Sequence, residues 1–106
     1  MSYRFMRIVL FFDLPTDTAR NRRDYTRFRK MIMREGFIMM QESVYCKLAI
    51  NPGAAEAALE KVRKNKPPEG LIQALTVTEK QYSRMEYIMG KHEGDILDTD
   101  ERFTVL

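Results

Sequence analysis

The sequence predicts an α+β domain with the element order β-α-β-β-α-β, and three observations carry that expectation. Ile8-Val9-Leu10-Phe11-Phe12 is an unbroken apolar run that ends in a single carboxylate, Asp13. An apolar run without alternation marks a strand covered on both faces, hence a central strand. A stretch of helical periodicity over about 18–35 follows, with Thr16 or Asp17 as its cap and Gly36 as its stop. Beyond it, strand-like and helix-like stretches continue to alternate, with no internal repeat and no linker long enough to divide the chain. The 106 residues therefore read as one domain, 1–106.

The first strand is placed at residues 4–13. Phe37-Ile38-Met39-Met40-Gln41 is the second. Ser43 to Ile50 alternates, with Val44, Cys46, Leu48 and Ile50 on one face, and is the third. Asn51-Pro52 opens the second helix as cap and first-turn proline. Ala55, Ala58, Leu59 and Val62 form its apolar stripe, and Asn65-Lys66-Pro67-Pro68-Glu69-Gly70 stops it. Leu71 to Thr78 is the fourth strand. Thr78 to Met85 reads as one short helical turn, Tyr87-Ile88-Met89 as a short extra strand, and Arg102 to Leu106 as another.

This order is the ferredoxin-like split βαβ arrangement, whose first and third strands are central. Its two helices cover one face of the sheet. The other face of so apolar a first strand must also be buried, and in a chain this short only a second copy can do it. The expectation is a homodimer, sheet facing sheet or with strands exchanged across the interface.

Composition narrows the function classes. Charged residues at 31% and hydrophobic residues at 44% indicate a globular protein rather than a disordered one. No apolar stretch approaches the ~20 residues of a membrane helix. The N-terminus has no apolar targeting segment, so a cytoplasmic location without a membrane partner is expected. Cys46 is the sole cysteine, which excludes an intrachain disulfide and a multi-cysteine zinc site. The net charge of +3 is unevenly spread. Residues 1–34 carry nine Arg and Lys against three acids, whereas residues 92–106 carry five acids against Arg102. That asymmetry suggests a basic surface for a polyanion and an acidic tail for another partner.

The first helix supplies the basic surface. Tyr25, Phe28 and Ile32 fall on one side at about 100° per residue. Arg20, Arg23, Arg27, Lys30 and Arg34 recur on the opposite side, and Arg22 and Arg29 flank the apolar face. Asp24 is the only acid between Arg20 and Arg34. Such a row repels itself by a few tenths of a kcal/mol per pair unless an anion faces it. It can hold phosphates and reads no base sequence.

Asp13 is the candidate metal ligand. It either accepts hydrogen bonds from Thr16 and the turn amides, or it contributes to a magnesium site. One carboxylate per chain cannot build such a site, but two brought together by a dimer axis, with waters, could. His92 lies in a polar loop and reads as solvated. Cys46, in phase with Val44 and Leu48, reads as a core residue rather than a nucleophile. No Gly-rich phosphate loop is present.

A short apolar strand ending in Asp13, a basic first helix, and then Gly36-Phe37-Ile38-Met39-Met40-Gln41-Glu42-Ser43-Val44-Tyr45 together closely resemble the CRISPR-associated Cas2 family. That family has a strand-end aspartate and, later, a glutamine, one residue, and Ser-Val-aromatic; Gln41, Ser43, Val44 and Tyr45 match. Thr76-Val77-Thr78-Glu79-Lys80-Gln81-Tyr82 looks like the family's segment after strand four. The start Met1-Ser2-Tyr3-Arg4 and the stretch Asp13 to Thr18 look most like the type II branch. The resemblance implies a ferredoxin-like homodimer at the centre of the spacer-acquisition complex, between copies of the CRISPR integrase, holding duplex DNA for insertion into the CRISPR array. It also implies a magnesium-dependent endonuclease with Asp13 as metal ligand and catalytic residue, acting on RNA or DNA. The acidic segment Asp95 to Leu106 is then a candidate integrase contact. A ferredoxin-like RNA-binding module is disfavoured, because the basic-Gly-aromatic pattern used for base stacking is missing.

Overall fold

The computed structural model describes residues 4–90. β1 spans Met6–Asp13, α1 Ala19–Arg34, β2 Ile38–Gln41, β3 Val44–Ala49, α2 Pro52–Lys64, β4 Leu71–Thr78 and α3 Glu79–Tyr82. The strands form one sheet in the order β2-β3-β1-β4 with every pairing antiparallel. β1 and β3 are central, as the ferredoxin-like arrangement requires.

Caps fix the helix ends. Thr18, not Thr16 or Asp17, caps α1. Its hydroxyl accepts from the Asn21 amide at 3.0 Å, while Asn21 Oδ1 accepts from the Thr18 amide at 3.3 Å. This reciprocal box satisfies two orphan amides with one residue pair, which a cap at Thr16 or Asp17 would leave to water. Gly36, at φ +101°, takes the left-handed conformation that ends α1. Asn51 caps α2 through the Ala54 amide at 2.7 Å, with Pro52 in the first turn.

The main core lies between the sheet and α1 and α2. Ile8, Leu10 and Phe12 of β1 share a face with Tyr45 and Ala49 of β3, and pack on Phe28, Met31 and Ile32 of α1 and Ala55, Ala58 and Val62 of α2. Phe12 lies edge-on to Phe28 at 5.3 Å and stacked with Tyr45 at 5.5 Å. Aromatic pairs of this kind contribute roughly 0.5–1.5 kcal/mol beyond area burial.

Arg7, Val9, Phe11, Val44, Cys46, Leu48, Leu75 and Val77 occupy the opposite face, as their register shows. Val44, Cys46 and Leu48 do share a face, but it is the one that α1 and α2 leave open. The expectation that only a second copy could cover it is corrected in part. Thr78 caps α3 with Gln81 by the same reciprocal device, at 3.1 and 2.9 Å, and the turn folds over the sheet. Tyr82 thereby reaches Cys46, and Val9 and Cys46 are buried. Phe11 and Leu75 stay exposed beside a groove of about 380 Å³ walled by Tyr82 and Met85.

Tyr87-Ile88-Met89 is not a strand. A strand needs a neighbour for its amides, and among the described residues none pairs with this segment. Ile88 and Met89 are almost wholly exposed. Arg102 to Leu106, the acidic segment, His92 and Met1-Ser2-Tyr3 lie outside the described residues. Among the described residues, no helix is long and apolar enough to cross a membrane.

Candidate nucleic-acid interface

Phe28, Met31 and Ile32 fix the inward face of α1, so the positions opposite them face solvent. Arg20, Arg22, Arg23, Arg27, Lys30 and Arg34 are all exposed. Arg22, Arg23, Arg27 and Lys30 gather around one depression of about 590 Å³ along the helix, with Ala19 and Thr26 between them. Arg34 continues the row in the last turn. Arg20 is set apart: it lines a separate recess that also holds the carboxylates of Asp24 and Glu69.

The cations of this face are little compensated. Arg27 meets Asp24 at 3.9 Å with its side chain 79% exposed, a contact worth at most about 0.5 kcal/mol. Arg20, Arg23, Lys30 and Arg34 form no ion pair among the described residues. Arg22 Nη1 donates to the Thr16 carbonyl at 3.0 Å. A one-signed face of this kind has the charge to hold phosphates through counterion release, without reading base edges. Arg29, placed by its sequence position only at the margin of the apolar face, is also exposed, and its Nε donates to the Tyr45 hydroxyl at 2.8 Å. No periodic signal links these two positions.

Asp13 closes β1 opposite Leu71 and is exposed. Among the described residues no hydrogen bond from Thr16 or the turn amides engages its carboxylate, and Thr18 serves the helix start. The chain approaches closely here: a Cβ added at Gly70 would lie 3.0 Å from the Asp13 carbonyl oxygen and 2.6 Å from Leu14 Cδ2. Among the described residues no three His, Cys, Asp or Glu side chains cluster as a metal site. Asp13 therefore offers one hard oxygen ligand, which fits magnesium only as part of a set completed by waters and a second carboxylate.

Fold and surface together define the class: a small ferredoxin-like α+β domain with a polycationic first helix and a solitary strand-end aspartate. The family model for CRISPR associated protein Cas2 matches residues 6–85, and the chain belongs to that family. It is similar to proteins named CRISPR-associated endoribonuclease Cas2 from three bacteria. Identity is 52% over 101 residues with that of Treponema denticola, covering 95% of this chain and 100% of the relative. It is 48% with that of Streptococcus mutans serotype c, covering 95% and 93%. It is 39% with that of Ligilactobacillus salivarius, covering 95% and 100%.

Proposed function

We propose that this Cas2-family protein is the central, homodimeric, duplex-DNA-binding subunit of a CRISPR spacer-acquisition complex, bridging copies of the integrase. The observation that carries this reading is the exposed, one-signed face of α1. A twofold dimer presents that face twice, doubling the phosphate contacts while remaining indifferent to sequence. The homodimer is supported by the apolar groove beside Phe11 and Leu75 and by the outer edge of β4. That edge, Leu71–Thr78, carries no charge and no proline, the usual devices that keep an edge strand unpaired.

A second reading, magnesium-dependent endoribonuclease or DNase, is favoured by the name the relatives carry and by the exposed Asp13. Asp13 and its copy across the dimer axis would hold the ion. Bound magnesium would supply charge stabilisation and an activated water. Among the described residues no three His, Cys, Asp or Glu side chains gather at Asp13 into a metal-holding set, which favours the binding role.

The test combines sedimentation with fluorescence anisotropy on labelled duplex DNA and single-stranded RNA, with and without magnesium. A dimer that binds duplex with steep salt dependence and leaves it intact supports the first reading. Magnesium-dependent RNA cleavage that disappears in Asp13→Ala supports the second. A monomer without duplex affinity overturns the first.

A further inference from the structure

Apart from Arg20, the basic residues of α1 fall on two rows that differ in how they are held. Arg23, Arg27, Lys30 and Arg34 follow one another at spacings of four, three and four. Apart from the long Arg27–Asp24 contact, none of them is tied to the fold. Arg22 and Arg29 lie on the other margin, seven residues and so about 10 Å apart along the axis. Each is tied, and each to a neutral oxygen: Arg22 to the Thr16 carbonyl at 3.0 Å, Arg29 to the Tyr45 hydroxyl at 2.8 Å.

Tyr45 is fully buried and its ring is stacked on Phe12. Its hydroxyl thus has a fixed position set by the core, not by solvent. A carboxylate in that place would orient Arg29 but also cancel its charge. A phenol orients the guanidinium and leaves the charge whole. With Nε engaged, the two terminal nitrogens remain free to donate in the planar fork that suits a phosphate. Beside them lies a cavity of about 440 Å³ lined by Tyr25, Thr26, Arg29, Met39 and Glu42. Glu42, in the β2–β3 turn, forms no ion pair with Arg29 among the described residues. Its carboxylate disfavours an anion deep in the cavity, which leaves the α1 rim as the place where a phosphate would meet Arg29.

We infer that Arg29 is a pre-oriented phosphate-binding residue and that Tyr45 is the positioning residue that orients it. The nucleic-acid surface then extends from the α1 row to the margin facing β2 and β3. This inference rests on the reading that α1 binds nucleic acid. Its physical content is that a side chain ordered before binding loses less freedom on binding.

The experiment measures binding of the full chain to a fluorescein-labelled mixed-sequence duplex over a range of salt. The variants are Tyr45→Phe, Arg29→Ala, their combination, Arg29→Lys, and the triple change Arg23→Ala, Arg27→Ala, Lys30→Ala. Tyr45→Phe keeps the buried ring. It is expected to weaken binding about fivefold, or about 1 kcal/mol at 1.4 kcal/mol per decade, with the salt slope unchanged, because every phosphate is still held. Arg29→Ala is expected to weaken binding about tenfold and flatten the slope by about one unit. Tyr45→Phe should then add nothing in the Arg29→Ala background, since its effect passes through that side chain. Arg29→Lys, which keeps charge and fold but lacks the Nε donor, should fall between wild type and Arg29→Ala.

Equal weakening by Tyr45→Phe in both backgrounds would make Tyr45 a packing residue only and overturn the proposal. Unchanged binding by Tyr45→Phe and Arg29→Lys, with weaker binding in the triple variant, would overturn it while the α1 reading stands. Unchanged binding in the triple variant as well would remove the α1 reading itself.

Discussion

Arg7 and Glu79, at opposite ends of the described chain, form a two-pronged ion pair: Nε donates to Oε1 at 2.9 Å and Nη2 to Oε2 at 2.8 Å. The same guanidinium lies 4.2 Å from the centre of the Tyr82 ring and sends Nη1 to Cys46 Sγ at 3.7 Å. Tyr82 Oη in turn donates to Met40 Sδ at 3.7 Å. The hydrogen bond to Glu79 holds the Arg7 proton still more tightly than usual. α3 is a single four-residue turn, far below the length at which a helix stands alone in water. Its place on the open sheet face, and so the shape of the groove, depends on this cluster.

Glu79→Gln should therefore loosen α3. The pair is partly exposed, so the destabilisation is on the order of 1 kcal/mol, or about 5 °C in Tm for a domain of this size. Cys46, buried beneath Tyr82, should become reactive toward an aromatic disulfide reagent at a markedly higher rate. Unchanged labelling of Cys46 would show that α3 is held by other interactions.

Alkali should act on the same cluster. Burial foremost, and the hydrogen bond with Cys46 next, push the Tyr82 phenol above its ordinary value. A group whose folded pKa is raised contributes stability that is present below its unfolded pKa and lost as pH rises through the folded one. The decline should begin above about pH 10, the ordinary tyrosine value. Denaturant midpoints for wild type and Tyr82→Phe, compared across that range, should show a shallower decline in the variant. Parallel curves would refute the assignment.

The cations of α1 should contribute unequally. Arg23→Ala should weaken duplex binding at every sequence and flatten the salt slope by about one unit for each phosphate no longer neutralised. Arg20→Ala should do less, since Arg20 lies outside the row, in a recess it shares with the acids Asp24 and Glu69. Anisotropy titrations of the two single variants decide the matter, and an effect of Arg20 equal to that of Arg23 would place the duplex across the whole helix.

Asp13→Ala should abolish any magnesium-dependent cleavage yet leave duplex binding and spacer acquisition in cells intact. The carboxylate is exposed and accepts no hydrogen bond among the described residues, so stability should change by no more than about 0.5 kcal/mol. A folded, dimeric, DNA-binding variant that acquires no spacers would show that the chemistry at Asp13 is required.

Gly70→Ala should cost more than its size suggests. At φ +113°, with Leu14 Cδ2 and the Asp13 carbonyl oxygen inside contact distance of the added carbon, it combines backbone strain with a clash. A destabilisation of about 1–3 kcal/mol in thermal unfolding is expected. A wild-type Tm would mean that the turn before β4 shifts freely.

The order and kind of the elements are legible in the sequence because each is written locally. The apolar run of β1, the alternation of β3, Asn51-Pro52 before α2 and Gly36 after α1 act over a few residues, and those elements stand where these signals place them. Alternation shows that Val44, Cys46 and Leu48 share a face, but which face the helices cover depends on strand register and on where α1 and α2 pack. Among Thr16, Asp17 and Thr18, composition does not choose the cap; the reciprocal bond with Asn21 does. Tyr87-Ile88-Met89 has a strand's composition and lacks a strand's neighbour. The α1 cations follow from helical period, whereas the pairing of Arg29 with Tyr45 and of Arg7 with Glu79 does not. Those pairs are 16 and 72 residues apart, and only antiparallel pairing of β1 with β3 and β4, together with the packing of α1 on β3, brings them within hydrogen-bond reach.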